Sequence, residues 1–329
     1  MSVFKKIWNA IKAFFIYLFT FKPFEWHKIP LIIILIYLIL TPFVMLFNNT
    51  FPDFVEVKPT KSKPGVMFSS VLIEMGDDML KAWLPNDLLY PTIFLDNKPN
   101  FQMGELEIIR YSIRMLRDKL SRLRTTDTID ENCDKAFVYI SNEPERWMLP
   151  SAESRYKKAF SELRKYQANL EKGEASFYPR ADNLIELLDQ INSLLGGVNT
   201  RLSHAPRDEK FLISEETAGD QFIEGEKKVF VKVPWHKIDD NFYYARGVAY
   251  GVRNIMMAVK YEFAEVIELK KSTELVDRII DLLDYCQFEP IYIANGKRGS
   301  LWANHSLELL ATTNDIRQKI SSLQSMLAN

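Results

Sequence analysis

The run "IPLIIILIYLILTPFVMLF", Ile29 to Phe47, places nineteen residues in a row without a charge. As a helix rising about 1.5 Å per residue it covers roughly the ~30 Å hydrocarbon core of a bilayer. A helix inside a water-soluble domain seldom stays apolar on every face for that length. A transmembrane helix at residues 29–47 is therefore the reading that the rest of the chain must accommodate. Pro30 falls in its first turn, where a missing N–H costs nothing, and Pro42 lies inside, where it is expected to kink the helix. No later run is comparable, so a single span is expected.

Charge sets the expected orientation. Residues 1–47 carry Lys5, Lys6, Lys12, Lys22 and Lys28 against one acid, Glu25, while the remainder carries 37 basic and 42 acidic side chains. Lysines before the span keep that side cytoplasmic. About 28 residues are thus expected inside, with a mildly acidic domain outside. The sequence after the apolar run, "FNNTFPD", lacks the small residues of a cleavage site, which favours an anchor over a signal peptide. Within residues 1–28, lysines alternate with bulky aromatics, and Ala13–Phe21 is too short to cross alone. An amphipathic helix on the inner leaflet is predicted, so the lipid bilayer itself is one expected partner. The outer part has no basic stripe of the kind that nucleic acid requires, and nucleic-acid binding is set aside.

Residues 48–66 contain Pro52, Pro59 and Pro64 and are predicted to form an extended stalk that lifts the folded part off the membrane. Residues 67–329 are then dominated by helical periodicity. Apolar residues recur at steps of three and four through Leu106–Leu123, Leu184–Leu202, Phe242–Val266 and Ile316–Leu327, with a shorter series from Tyr156 to Leu170. That spacing keeps one face inward and suits a bundle. Strand signal is confined to "KKVFVKVPW" and "FEPIYIANG". The expected fold class is mainly α: one N-terminal transmembrane helix followed by an extracytoplasmic helical bundle with a minor β element. Ser151 and Ser272 sit where helix N-caps are needed. Cys133 and Cys286 would lie in an oxidising compartment, and both a disulfide and two buried thiols fit their surroundings.

Three stretches concentrate chemistry-bearing residues. In "IDDNFYYARG", Asp239 and Asp240 are about 100° apart if helical, unlike the convergent acids of a two-carboxylate mechanism, and they suit the positive end of a helix. Asp239, Tyr243, Arg246, Tyr250 and Arg253 nevertheless form a polar-aromatic stripe beside the apolar seam. It is open to three readings: an internal network, a protein interface or a ligand groove. Gly247 and Gly251 permit close approach of another helix. In "GKRGSLWANHSLELL", Asn304 and His305 read as helix-start residues, and His305 beside Ser306 lacks the geometry of a nucleophile and its base. No phosphate loop and no metal-ligand spacing of histidines is present, so no metal and no cofactor are expected. The third stretch, Trp83–Arg110, is broken by Pro85, Pro91 and Pro99. Asn86 or Asp87 is expected to start a turn and Asn100 to cap the next helix, in a loop that could serve recognition.

Together "WLPNDLLYPTIFLDNKPNFQMGELE", "PWHKIDDNFYYARGVAYGV" and "SLWANHSLELLATTNDIRQKISSLQSML" resemble a bacterial family of inner-membrane-anchored proteins of unknown function. The resemblance implies a Gram-negative envelope, one span and a large periplasmic part, and it carries no reaction or catalytic residue with it. The leading expectation is a scaffold or accessory subunit of an envelope assembly, with an envelope protein or a second copy of the chain as candidate partner. Its contact surface would be Asp239, Tyr243, Arg246 and Tyr250, joined by Asn304, His305, Asn86 and Asp87. The alternatives are a ligand-binding or cell-wall-acting enzyme, for which no catalytic residue can be nominated, and a sensor that needs a cytoplasmic partner.

Overall fold

The computed structural model describes residues 2–20, 28–57, 63–88, 95–124, 126–204, 236–290, 292–294 and 303–329. Among them are eleven α-helices and no strand. Of the two expected extended pieces, "KKVFVKVPW" lies outside the described residues, and "FEPIYIANG" shows no strand where it is described. The chain is mainly α.

Helix α1 (Ser2–Phe19) and helix α2 (Lys28–Asn48) precede the bundle. The window Lys28–Leu46 is long and apolar enough to cross a membrane, and none of Ile29–Leu46 is buried against the rest of the protein. Pro42 lies inside α2, as expected. On α1, Ile7, Trp8, Ile11 and Ile16 are exposed alongside the lysines.

The bundle is built around α8 (His236–Glu262), which is buried on nearly every side from Phe242 to Val259. Helix α4 (Asn97–Met115) runs parallel to it. The two approach so closely that side chains would not fit between them. A Cβ on Gly104 would stand 2.1 Å from the Tyr244 carbonyl oxygen, and one on Gly247 would stand 2.0 Å from that of Phe101. Gly251 faces Ile108 on the same seam. The glycine spacing on α8 thus answers to α4 rather than to a membrane partner.

Helix α3 (Val66–Lys81) returns antiparallel to α8, with its start tied to Glu262 and its middle at Gly251. Gly65, with φ 88°, sits where the N-cap belongs and offers no side chain. Glu262 supplies the acceptor instead, taking hydrogen bonds from the backbone N–H of Gly65 and Met67 at 2.8 Å and of Phe68 at 3.1 Å. A helix start whose free donors are met by another helix is as much a packing contact as a cap. At the other end of α3, Gln102 of α4 donates to the Met79 and Ala82 carbonyls and accepts from Leu84 N–H.

Helix α6 (Ala152–Lys172) lies against α3 and pairs with α5 (Glu131–Ile140). Helix α7 (Ala181–His204) runs beside α11 (His305–Ala328), and α10 (Thr273–Tyr285), after the short α9 (Ala264–Leu269), covers α8. The predicted seams are buried except at two of their ends, where Val266 is half-buried and Leu123 is exposed. Leu123 is exposed because α4 ends in a wider π-helical turn at Leu116–Leu120, and the three-four step means nothing beyond it.

Ser151 caps α6 as expected, accepting from Ser154 N–H, whereas Ser272 turns its hydroxyl back to the Ile267 carbonyl and caps nothing. The cap of α4 is Asp96; Asn100 lies inside the first turn. Cys133 and Cys286 are both free and fully buried, on α5 and at the end of α10. Burial pushes both thiols up, Cys286 to about 12, so neither is a ready nucleophile.

A methyl group at the α4–α8 crossing has nowhere to go, because the nearest atoms are backbone. Gly247→Ala is expected to cost about 3 kcal/mol or more, read as a lowered melting midpoint. Gly197→Ala, where nothing lies within 4 Å, is the control and is expected to be neutral or slightly stabilising.

Candidate functional site

The stripe on α8 is occupied by the chain itself. Residues 51–57 leave the end of α2 without helical structure and lie along α8. The ring of Phe51 stacks on Tyr243 (5.5 Å between centroids, 5° between planes), and that of Phe54 stacks on Tyr250 (5.7 Å, 10°). The Arg246 guanidinium stands 4.3 Å from the centre of Phe51, and that of Arg253 stands 4.1 Å from Phe54.

The periods match. Seven residues of α-helix advance about 10.5 Å, and three residues of extended chain advance about 10 Å. Two Tyr-Arg pairs spaced by seven can therefore hold two phenylalanines spaced by three. Backbone bonds fix the register: Tyr250 Oη donates to the Asp53 carbonyl at 2.9 Å, and Val55 N–H donates to Asn254 Oδ1 at 3.2 Å. Within the predicted stalk, residues 51–57 are packed on α8 as a strap rather than standing free, and residues 58–62 lie outside the described residues.

This changes the reading of the stripe. Tyr243, Arg246 and Tyr250 are buried, so they offer no open face to a partner. Arg246 Nη2 reaches Glu289 Oε2 at 3.3 Å, while its Nε and Nη1 have no hydrogen-bond partner. Burial lowers the pKa of this guanidinium, and Glu289 opposes the shift. What faces the rest of the plane is the π cloud of Phe51, so the cation–π contact carries much of its compensation.

Helix α8 starts at His236, ahead of both acids, so Asp239 falls in its first turn and Asp240 just beyond it. Although neighbours on a helix, the two carboxylates come together here. One carboxylate oxygen from each lies within 4.8 Å of the other and of one from Asp96. The 100° separation applies to Cβ directions, and two flexible carboxylates with a third from α4's cap still meet. Asn100 Nδ2 donates to Asp240 Oδ1 at 2.8 Å. Among the described residues this is the group whose donors could hold a cation, and three hard oxygens would suit calcium or magnesium.

The remaining nominated residues are ties between elements. Asn86 is buried and donates to the Arg146 carbonyl and to Glu153 Oε2. Asp87 belongs to the turn closed by its N–H on the Leu84 carbonyl. Asn304 caps α11 by accepting from Leu307 N–H. His305 Nδ1 accepts from Ala294 N–H, and its own backbone N–H donates to the Ala294 carbonyl. That arrangement uses the imidazole as a clamp, and the structure does not gather these residues with the α8 stripe into one site.

Sequence reasoning passes over Glu105. It lies on α4 beside the glycine seam, is fully buried, and its Oε1 has no hydrogen-bond partner. Burial pushes its pKa up to about 8, against the pull of Lys98. Lys98 in turn is lowered by burial, and its Nζ donates to the Thr50 carbonyl where the strap begins. A signal is nonetheless present in the sequence: Glu105 falls one residue before Leu106, at the edge of an apolar seam.

A carboxyl whose folded pKa is raised holds its proton longer when folded. Its stabilising contribution is complete below about 4.5 and is lost as pH rises towards 8. Glu105→Gln is therefore expected to raise the melting temperature at pH 8.5 while changing it little at pH 5, with a difference on the order of a few kcal/mol. The check is thermal unfolding of both proteins across that range. For the strap, Phe54→Ala removes one stack and one cation–π contact, together about 1–2 kcal/mol. Hydrogen exchange is expected to accelerate at Val55 while α8 stays protected.

Residues 24–329 match the model of a family described as "Uncharacterized protein conserved in bacteria (DUF2333)". No curated protein and no solved structure matches the chain.

Proposed function

We propose that this chain, which belongs to that bacterial family, is a single-pass inner-membrane protein whose bundle serves as a scaffold or accessory subunit of an envelope assembly. Helix α2 is the anchor, the lysine-rich N-terminus faces the cytoplasm, and the bundle faces the periplasm. The lysine asymmetry around α2 supports that orientation.

The observation that carries the reading is the strap. Phe51, three residues beyond the end of α2, is already packed on Tyr243. A helical body tied that closely to its anchor is held at one height and in one orientation, which is what a scaffold needs and a tethered enzyme does not. A wall-acting enzyme would call for an apolar-walled cleft containing a carboxylate. The buried carboxyl here, Glu105, lies in a filled seam. The hollows around Arg122 and Arg114 are lined mainly by polar and charged side chains, and in the hollow beside Leu80 and Trp83 the Glu153 carboxylate is engaged by Asn86. The partner surface then has to lie away from the stripe.

In-cell photocrosslinking tests this with probes at two exposed positions, Val138 on α5 and Tyr292 after α10. Tyr243 serves as a buried comparison. A discrete adduct to one envelope protein from an exposed position, with none from 243, is expected. Adducts absent from every exposed position, with the protein intact in the membrane fraction, would overturn the scaffold reading.

A further inference from the structure

The loop between α5 and α6, residues 141–151, is held from several sides yet presents apolar side chains to solvent. Trp83 Nε1 donates to the Pro144 carbonyl at 3.1 Å, and Arg110 Nη2 and Tyr156 Oη both donate to that of Asn142. The Arg146 carbonyl accepts from Asn86 Nδ2 and from Ala152 N–H, and Arg146 Nη2 donates to the Leu149 carbonyl. Leu149 has φ 58°, a left-handed backbone that an L side chain rarely adopts. Inside this frame Trp147 is 55% exposed and Leu149 83%, with Met148 exposed between them. A loop built this firmly to expose three adjacent apolar residues is not simply leaving them in water by accident of disorder.

The contacts show which end of the bundle the loop occupies. Thr50 and Phe51, arriving from α2, touch Lys98 and Phe101 at the start of α4. The next residue, Gln102, ties down the end of α3 at Met79 and Ala82. Trp83 then reaches Pro144. The loop therefore lies at the end of the bundle where the anchor enters, and three residues of chain separate Asn48 from Phe51, at most about 10 Å.

We propose that Trp147, Met148 and Leu149 form a second membrane contact, inserting into the interfacial layer of the bilayer that α2 spans. Tryptophan is suited to that layer, with an apolar ring and one polar N–H. Lys157 and Lys158 line the hollow of ~770 Å³ beside Trp83 and Ser151, where they face anionic headgroups. The acids Glu143 and Glu145 are on the same loop, and Glu153 is engaged by Asn86, so the lysines rather than the loop supply the positive charge. With α2 as one support and this loop as another, the bundle is held against rotation about the anchor.

The inference rests on α2 being in the membrane, and the experiment separates the two. Full-length protein carrying one environment-sensitive fluorophore is placed in nanodiscs of phosphatidylethanolamine and phosphatidylglycerol. The label goes on Leu149→Cys, on Leu40→Cys in the anchor, or on Glu171→Cys at the far end of α6; the native thiols are buried. Quenching by lipid-borne nitroxide is expected to be several-fold stronger at 149 than at 171, with reduced quenching by aqueous iodide. Lys157→Gln with Lys158→Gln is expected to weaken the lipid quenching at 149. A 149 label that behaves like the 171 label while the 40 label is quenched by lipid overturns this contact alone, and leaves a protein as the loop's partner. A 40 label open to iodide overturns the anchoring as well.

Discussion

The crossing of α4 and α8 at Gly104 and Gly247 is the contact on which the other packing relations depend. Two backbones in van der Waals contact leave no slack for adjustment by side-chain rotamers. Once α8 is set against α4, its remaining faces are apportioned. One takes α3, which needs Glu262 from the end of α8 to complete its own first turn. Another takes α7 and α11, and a third is covered by α10. The polar-aromatic stripe is what is left, and the strap fills it.

Much of this architecture is legible in the sequence because it depends on period alone. The seams on α6, α7, α8 and α11 follow the three-four step, and an uncharged run of nineteen residues stands out whatever surrounds it. The glycines of α8 are visible as a pattern but lack a partner, since Gly104 lies more than a hundred residues away. Period also misleads where local geometry changes. The series through Leu123 outruns its helix because nothing in the side-chain pattern marks the π-helical turn at Leu116–Leu120.

The candidate site is half legible, and the reason is physical. Tyr243, Arg246, Tyr250 and Arg253 are recognisable as a stripe, but a stripe shows only that something complementary is wanted. Its complement stands in the sequence as Phe51 and Phe54, hidden because extended chain and helix keep different periods and match only as about 10 Å against about 10.5 Å. For Asp239 and Asp240 the sequence gives only Cβ directions, which say little about carboxylates on flexible stems. Glu105 escapes notice because an acid at the edge of an apolar seam ordinarily reaches water; here its solvent is removed by helices that arrive from elsewhere in the chain.

The direction in which the strap lies has a mechanical consequence. Residues 51–57 run parallel to α8, away from the end where α2 enters, so tension through the anchor acts along the line of the contacts rather than across it. Loaded this way, the stacks at Tyr243 and Tyr250 and the bond from Val55 to Asn254 share the force together instead of failing one after another. The junction resists being pulled lengthwise far better than being peeled sideways. In the anchoring proposed above, the bundle is joined to the bilayer by a lap joint, with the load spread along the central helix.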